Sequence, residues 1–219
     1  MKVFISAGHG GSDPGAVANG VKEKDLNLSI AKACRDELVR HGVEVKMSRT
    51  KDENDPLSEE IRECNAFSPD LAVSIHNNAG GGDGAEVFHS HLGGKGKTFA
   101  ENILSEIVKV GQNSRGTKIR KNSQGKDYYG FIRETACPAV IVECAFVDNA
   151  TDLKFLATES DRQKVGQAIA KGVLKTLGVE IQGEKRYKVQ VGCYLYRENA
   201  EAMEKKIKAV GFDAFIVKE

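Results

Sequence analysis

The sequence lacks an excess of charge of either sign, because 32 Lys and Arg residues stand against 31 Asp and Glu residues and leave a net charge of +1. Proteins that bind nucleic acid in bulk usually carry a basic excess, so we do not expect nucleic acid as a partner. Apolar runs are short, and none approaches the roughly 20 residues that a membrane-spanning helix requires. Residues 1–6 lack the long apolar core and the small-residue cleavage site of a signal peptide. We therefore expect a globular protein without a membrane span, synthesised in the cytoplasm without a signal peptide.

Paired cysteine motifs are also missing. The five cysteines are widely spaced, and no two of them form a Cys-x-x-Cys motif. This spacing disfavours a cysteine zinc knuckle and a redox dithiol. We expect five buried, reduced thiols, as is typical of a reducing compartment.

Apolar stretches alternate with amphipathic stretches along most of the chain. The patterns predict strands at residues 2–6, 43–48, 71–75, 85–88 and 139–144, and helices at 25–41, 58–65, 99–110 and 160–177. Such alternation predicts an α/β fold with a mainly parallel, twisted sheet and helices on both faces. The polar segment 111–129 is rich in Gly, Lys and Asn, and we interpret it as a mobile surface segment.

The end of the chain forms a separate predicted unit. Residues 179–186 are interpreted as a linker between a domain of residues 1–178 and a module of residues 187–219. Within the module, a strand at 187–191, a helix at 198–210 and a strand at 214–217 predict a small βαβ unit. About 33 residues without a disulfide or metal are too few to bury a core alone. We therefore expect the module to dock on the first domain or to pair with a second chain.

Strong chemical groups follow three of the predicted strands. His9 follows the first strand, His76 ends the third, and Glu143 ends the apolar run 139–142, while Glu23 precedes the first helix. Because ligands bind beyond the carboxyl ends of parallel strands, these groups are expected to meet at one edge of the sheet. Two histidines and one carboxylate make a catalytic zinc set with a fourth position left for water.

Each of these residues also has an ordinary interpretation. A lone histidine is more often a surface or satisfied core residue than a ligand, and Glu23 by itself is typical of a solvated residue near a helix start, where negative charge is favourable. Glu143 is harder to explain in this way, because a carboxylate within an apolar run is destabilised unless it is paired, hydrogen-bonded or bound to metal.

Three other constellations compete with this interpretation. His89 and His91 are two residues apart and could share a strand face, but no pattern places a carboxylate beside them, so we interpret them as a surface pair or secondary substrate contacts. Cys144 alternates away from Glu143 and is expected to face the core rather than act as a nucleophile. The glycine-rich loop around His9 lacks the Gly-Lys-Ser/Thr ending of a phosphate loop, which disfavours a nucleotide-binding site.

Ordered motifs over residues 1–178 resemble those of the zinc-dependent N-acetylmuramoyl-L-alanine amidases of bacterial cell-wall remodelling and phage lysis. They are Gly8-His9-Gly10-Gly11-Ser12-Asp13-Pro14-Gly15-Ala16, Gly20 to Leu28, Ser48-Arg49-Thr50, Leu57 with Arg62 and Asn65, Ser74-Ile75-His76-Asn77-Asn78-Ala79, Gly84 to Phe88, Ile132-Arg133-Glu134-Thr135 with Pro138, and Val142 to Asn149. One departure is Cys144-Ala145-Phe146, where members of the family more often carry an aliphatic residue and then glycine before the aromatic residue.

The resemblance implies a function. It implies Zn²⁺ ligation by His9, Glu23 and His76, with Glu143 as the catalytic carboxylate that hydrolyses the amide between the lactyl group of N-acetylmuramic acid and L-alanine in peptidoglycan. Asn78 is a candidate substrate contact. For Arg133, contact with a stem-peptide carboxylate and an internal ion pair are both open. Two alternatives remain: a non-catalytic wall-binding protein on the same fold, and a zinc deacetylase or carboxypeptidase that acts on the same polymer.

The biological setting and the tail are also predicted from resemblance. Action on the wall after release fits a phage endolysin, which we favour, or a mother-cell enzyme that acts after lysis. Residues 187–219 resemble one half of the sporulation-related repeat that binds glycan strands. We expect this half repeat to bind the wall, to form a homodimer, or to do both.

Overall fold

The computed structural model describes residues 1–181, 191–211 and 214–217. The chain forms two compact units, Met1–Ile181 and Gln182–Glu219. No described helix combines the length and the apolar character that a membrane crossing requires.

The described part of the larger unit contains eight strands and six helices. The strands are β1 (Lys2–Ala7), β2 (Val17–Ala18), β3 (Val21–Lys22), β4 (Glu44–Met47), β5 (Leu71–Asn78), β6 (Ala85–His89), β7 (Ser114–Lys118) and β8 (Ala139–Phe146). The helices are α1 (Glu23–Arg40), α2 (Leu57–Phe67), α3 (Gly94–Lys109), α4 (Gly130–Glu134), α5 (Ala150–Phe155) and α6 (Glu159–Leu177).

Six of the strands form one sheet in the order β4-β1-β5-β8-β6-β7. The pairs β4–β1, β1–β5 and β5–β8 are parallel. Strand β6 is antiparallel to β8, and β7 runs parallel to β6. The start of β6 and the start of β7 therefore lie at the same edge of the sheet as the carboxyl ends of β1, β5 and β8. This arrangement confirms the predicted mainly parallel sheet.

Helices cover both faces of the sheet, as the sequence predicts. The main core contains residues of α1, α3 and α6 together with β1, β5 and β8, including Ile30, Phe99, Ile169, Ile5 and Val142. A smaller core on Phe4, Ala72 and Ile141 contains residues of α2 and α4. Strand β8 is buried along nearly its whole length, as expected for a central strand covered on both faces.

Local signals explain where α6 begins and ends. Thr158 and Asp161 form a reciprocal capping box at its start. Gly178 follows the helix with a φ of 72°, a left-handed conformation that favours glycine.

The segment 111–129 differs from its interpretation as a mobile surface segment. Residues 114–118 form strand β7, which pairs with β6, and Lys121 and Asp127 form a β-bridge. The sequence Ser-Arg-Gly-Thr-Lys has neither apolar alternation nor an aromatic residue, so an edge strand stabilised by one neighbour leaves no periodic signal there.

The smaller unit contains one described helix, α7 (Arg197–Ala209), close to the predicted helix at 198–210. Residues 214–217 are not a strand in the structure, so this part of the predicted βαβ unit is wrong. Residues 187–190 of the first predicted strand lie outside the described residues, and Val191 carries no regular structure.

The cysteine prediction is correct for three residues and wrong for two. All five thiols are free, and Cys34, Cys64 and Cys144 are buried. Cys137 is half-buried and Cys193 is exposed. Cys137 precedes β8 and Cys193 precedes α7, positions at which the chain is only partly covered.

Candidate active site

Four side chains predicted as site residues lie at one edge of the sheet. His76 and Glu143 are direct register partners on β5 and β8. His9 follows β1, and Glu23 is the first residue of α1. Because β1, β5 and β8 are parallel, their carboxyl ends meet at this edge, where open α/β sheets bind their ligands.

His9, Glu23 and His76 converge on one point. Their potential ligand atoms all lie within 4.8 Å of one another. His9 Nε2 is 3.2 Å from Glu23 Oε2, and His76 Nδ1 is 3.1 Å from Glu23 Oε1. In the part of the chain that the structure describes, this is the single group of three or more such side chains close enough to share a metal ion.

The electrostatics of the cluster follow from this proximity. A hydrogen bond with Glu23 raises the pKa of His9 to about 9, against the opposing effect of burial, and Asp13 adds to the rise. Burial opposes ionisation of Glu23, but hydrogen bonds with His76 and His9 hold the pKa of this carboxylate well below its ordinary value. Glu23 is thus anionic at neutral pH although it is only 4% exposed.

A network of hydrogen bonds orients the three side chains. The Asp13 carboxylate lies 2.7 Å from His9 Nδ1, which leaves Nε2 directed at Glu23. Glu23 accepts hydrogen bonds from the backbone N–H of Ala16 and from the Asn27 side chain at 2.9 and 3.1 Å. A carboxylate on the far nitrogen of a histidine is the usual means of orienting a metal ligand.

The donor set fits zinc. Two imidazoles and one carboxylate are a common catalytic zinc set, and bonds of about 2.0–2.2 Å at tetrahedral angles place neighbouring ligand atoms roughly 3.4 Å apart. The 3.1 and 3.2 Å separations measured between Glu23 and the two histidines are close to that spacing.

Two glycines leave room for the cluster. A Cβ at Gly8 would lie 2.2 Å from the His76 ring, and a Cβ at Gly15 would lie 2.5 Å from Glu23 Oε2 and 2.6 Å from His9 Cδ2. The glycines of this loop are therefore needed for close approach to the site.

Substitution of Gly15 tests whether this close approach matters. Gly15 has a φ of 64°, so Gly15→Ala adds both backbone strain and a clash with two of the three candidate ligands. We expect zinc affinity to fall by about 10- to 100-fold, as for the loss of a group that orients a ligand. Gly42→Ala is the matched control, because Gly42 has a φ of 76° and open space around its Cβ position. Competition with a chromogenic chelator measures both variants, and equal affinities would refute the role of Gly15.

Glu143 lies beside the cluster with a perturbed pKa. Burial raises the pKa of Glu143 to about 7, and the negative charges of Glu23 and Glu86 act in the same direction, whereas His76 opposes them. None of the described residues forms a hydrogen bond with its carboxylate. A carboxylate that titrates near neutrality is suited to accept and then donate a proton.

A cavity of about 250 Å³ opens next to His9 and His76. Its lining combines acidic, hydroxyl, aromatic and aliphatic groups: Gly8, His9, Asp13, Asp55, Leu57, Glu60, Ser74, His76, Tyr129, Gly130, Phe131 and Ile141. A larger cavity of about 480 Å³ lies between α3 and β7 and contains none of the predicted site residues.

Glu60 is a buried acid in the wall of the smaller cavity. Its carboxylate accepts a hydrogen bond from Ser6 Oγ at 2.9 Å, and Ser6 in turn accepts one from Ser74 Oγ at 3.1 Å. Burial raises the pKa of Glu60 to about 7, and the nearby Asp55 contributes to the rise.

The raised pKa of Glu60 predicts a pH-dependent stability. The folded protein holds this proton more tightly than the unfolded chain, so the stabilisation is present at low pH and is lost as pH rises from about 4.3 to 7. We expect zinc-free Glu60→Gln to be more stable than the wild-type protein by about 1–3 kcal/mol at pH 8 and nearly equal at pH 5. Denaturant unfolding at the two pH values measures the difference.

Glu106→Gln provides the control of opposite sign. Burial opposes ionisation of Glu106, but Lys109 and Lys175 outweigh it and lower its pKa. Its stabilisation is therefore present at neutral pH and lost as pH falls, so Glu106→Gln is expected to destabilise the protein at pH 8. A Glu60→Gln variant that is also less stable at pH 8 would contradict the account of Glu60.

The two predicted substrate contacts have different surroundings. Asn78 lies at the end of β5 and donates a hydrogen bond to Glu86 at 3.1 Å. The guanidinium of Arg133 donates to the backbone carbonyls of Asp127 and Tyr128 at 2.7 and 2.8 Å and to the Glu134 carboxylate at 2.6 Å. Arg133 is thus engaged by α4, the helix on which it lies, and by the segment just before that helix.

His89 and His91 do not form a pair. His91 Nδ1 lies 2.8 Å from the Asp127 carboxylate, and His89 Nδ1 lies 2.8 Å from the backbone carbonyl of Ser90. The sequence interpretation missed the carboxylate beside His91, because Asp127 is 36 residues away along the chain. The contact between His91 and Asp127 joins the loop before α3 to the segment before α4.

Two residues at the same edge were missing from the predicted site. Glu86 lies opposite Glu143 across the β6–β8 pair, and Arg115 on β7 donates to Glu86 at 3.0 Å. Arg115 lies in the segment interpreted as mobile, so the sequence contained no signal for its position.

A family model described as N-acetylmuramoyl-L-alanine amidase matches residues 3–175 of the chain. A second model, described as the SPOR domain, matches residues 159–218. The first match contains all four residues of the candidate site, and the second contains α7.

Individual proteins show the same similarity. The sporulation-specific N-acetylmuramoyl-L-alanine amidase of Bacillus subtilis is 34% identical over 99% of this chain and 84% of its own length. The endolysin of Bacillus phage SPP1 is 36% identical over 81% of this chain and 66% of its own length. The structure of Cwp6 from Clostridium difficile matches with a TM-score of 0.79 and 37% identity over 80% of this chain and 29% of that protein.

Proposed function

We propose that this chain, which belongs to the N-acetylmuramoyl-L-alanine amidase family, hydrolyses the amide between the lactyl group of N-acetylmuramic acid and L-alanine in peptidoglycan. In this proposal zinc is held by His9, Glu23 and His76, and Glu143 transfers the proton. The main support for the proposal is that the potential ligand atoms of His9, Glu23 and His76 lie within 4.8 Å of one another. Beside them lies the carboxylate of Glu143, whose pKa is raised to about 7.

The reaction needs an activated water and a proton for the leaving nitrogen. Zinc at this site would supply a Lewis acid that polarises the scissile carbonyl and makes water more acidic. The Glu143 carboxylate accepts a proton from the attacking water as the new C–O bond forms. The resulting carboxylic acid then donates this proton to the L-alanine nitrogen as the C–N bond breaks. The products are a lactyl carboxylate and a stem peptide with a free amino terminus.

Mass analysis of digested peptidoglycan tests this reaction. We expect stem peptides with a new amino-terminal alanine and muramic acid with a free lactyl carboxyl group. Release of acetate would instead indicate a deacetylase, and loss of a carboxy-terminal amino acid would indicate a carboxypeptidase. Unchanged peptidoglycan would support a wall-binding protein without catalytic activity.

Two biological settings follow from the relatives. Similarity to a phage endolysin supports the role that we propose first, release through lysis of the infected cell. Similarity over nearly the whole chain to a sporulation-specific amidase supports the second, a mother-cell enzyme that acts after lysis. Expression of the gene after prophage induction would support the first, and expression confined to late sporulation would support the second.

The tail is proposed to bind glycan strands and to pair with a second copy of the chain. The match to the SPOR domain supports wall binding. Helix α7 has no buried residue, and Leu195, Tyr196 and Phe215 are 98%, 70% and 74% exposed, which supports pairing. Light scattering of the full chain and of a 1–181 truncation tests pairing, and a monomeric full chain would contradict it. Sedimentation with purified glycan strands tests wall binding in the same two proteins.

A further inference from the structure

A row of four polar side chains crosses the sheet at the edge that carries the candidate site. His76, Glu143 and Glu86 are direct register partners on β5, β8 and β6. Arg115, near the start of β7, donates its Nε hydrogen to Glu86 Oε2 at 3.0 Å and so extends the row. Partners in register share a face of the sheet, and each strand adds about 4.8 Å.

The guanidinium of Arg115 is held by Glu86 and Phe146 on one side and is accessible to solvent on the other. Its guanidinium carbon lies 4.9 Å from the centre of the Phe146 ring, and its side chain is 39% exposed. Glu86, which receives the Nε hydrogen bond, also accepts one from Asn78 at 3.1 Å. The two terminal nitrogens of Arg115 form no hydrogen bond with any described residue. A planar guanidinium fixed on one side in this way presents a two-pronged donor that matches a carboxylate.

The spacing of these four side chains fits a bound stem peptide that extends from Glu143 across the sheet toward β7. Arg115 is two strands from Glu143, which corresponds to about 10 Å. In an extended peptide, a carboxylate on the second residue after the scissile carbonyl lies about 7 Å from that carbonyl. The remaining distance to the backbone of Arg115 is within the length of the arginine side chain.

We propose, on the basis of the function proposed above, that Arg115 binds the free carboxylate on the second residue of the stem peptide. Arg115 is then a specificity-determining residue for acidic stems over amidated stems. Arg133 is not available for this role in the structure, because its guanidinium is engaged by Asp127, Tyr128 and Glu134.

The test compares two wall fragments, each a muramic acid derivative that bears a tripeptide. The fragments differ only at the second stem residue, which carries a free α-carboxylate in one and a carboxamide in the other. We expect kcat/KM of the wild-type protein to be about tenfold higher for the fragment with the free carboxylate, an effect of the size expected for a hydrogen bond to a charged group. The difference should arise mainly from a lower KM for this fragment. Arg115→Gln is expected to reduce this ratio to about one, and Arg115→Lys to give an intermediate ratio. A purely structural role of the Arg115–Glu86 pair would lower both rates equally and leave the ratio unchanged.

Arg35→Gln is the matched control. Arg35 is 34% exposed and also pairs with a carboxylate, Asp36 at 2.7 Å, but it lies 12 residues into α1 and thus about 18 Å along the helix from Glu23. We expect it to keep the wild-type ratio, and thermal melting shows whether each variant is folded.

Three outcomes would overturn the inference. Equal rates on the two fragments in the wild-type protein, or a preference that survives in Arg115→Gln, would refute the role of Arg115 while the amidase function stands. Cleavage of neither fragment at the lactyl amide would refute the proposed function and the inference together.

Discussion

Replacement of Glu143 with glutamine is expected to lower kcat by about 10³-fold, within the usual range for loss of a general acid–base group. Glutamine has nearly the same shape but cannot accept the proton of the attacking water. Because burial raises the pKa of Glu143 to about 7, its removal also relieves an unfavourable charge, so the melting temperature should not fall. Turnover of the wall substrate, zinc content and thermal melting are measured on the same preparation.

Glu106→Gln is the matched control for this prediction. Glu106 is also a glutamate with little solvent exposure, 7%, but it lies on α3 and forms ion pairs with Lys109 and Lys175. Its replacement should lower stability and leave kcat unchanged, the reverse of the pattern at Glu143. A Glu143→Gln variant with wild-type turnover would remove this residue from the mechanism.

Removal of zinc with a chelator is expected to abolish activity and to lower the melting temperature by roughly 10 °C. A ligand at 1,000 times its Kd stabilises the folded state by about 4 kcal/mol, and each kcal/mol shifts the melting temperature of a domain of this size by about 2–4 °C. One equivalent of zinc should restore both properties. Activity that persists after complete removal of metal would contradict the proposed mechanism.

Zinc binding to the stripped protein should depend on pH in a defined direction. Without metal, Glu23 and Asp13 raise the pKa of His9 to about 9, and Glu23 raises the pKa of His76 against the effect of burial, so zinc must displace protons from its histidine ligands at neutral pH. Affinity is therefore expected to rise by at least about tenfold per pH unit from pH 7 and to level off once both histidines are neutral, as measured by calorimetry. His91→Ala is the control, since His91 also pairs with an aspartate, Asp127 at 2.8 Å, but lies outside the cluster. It should keep the affinity and the pH dependence of the wild-type protein.

The central strands and their terminal residues could be predicted because burial leaves a clear signal. Strand β8 is a nearly continuous apolar run, so a carboxylate within it required an explanation. His76 ends a similar run on β5. The rule that parallel strands bind ligands at their carboxyl ends then placed these side chains together. The resemblance to a family, rather than the spacing of the residues, separated the role of Glu23 from that of Glu143.

The outer part of the site could not be predicted, because it depends on contacts between segments that are distant in sequence. Arg115 reaches the edge only because β7 pairs with β6, and this polar edge strand has no periodic pattern. Asp127 and His91 are 36 residues apart, and neither residue alone indicates the other. In the smaller unit, helix α7 lies close to its predicted place, whereas residues 214–217, whose apolar pattern favours a strand, carry no regular structure. A strand forms only where it pairs with a neighbour, and the apolar pattern of one segment does not show whether it has one.

Crystals of the zinc-loaded protein, measured on both sides of the zinc absorption edge, show directly which side chains bind the metal. We expect one anomalous peak within about 2.0–2.2 Å of a ring nitrogen of His9, a carboxylate oxygen of Glu23 and a ring nitrogen of His76, with the Glu143 carboxylate nearby but not coordinated. A peak at other residues, or Glu143 bound directly in place of Glu23, would contradict the proposed zinc site.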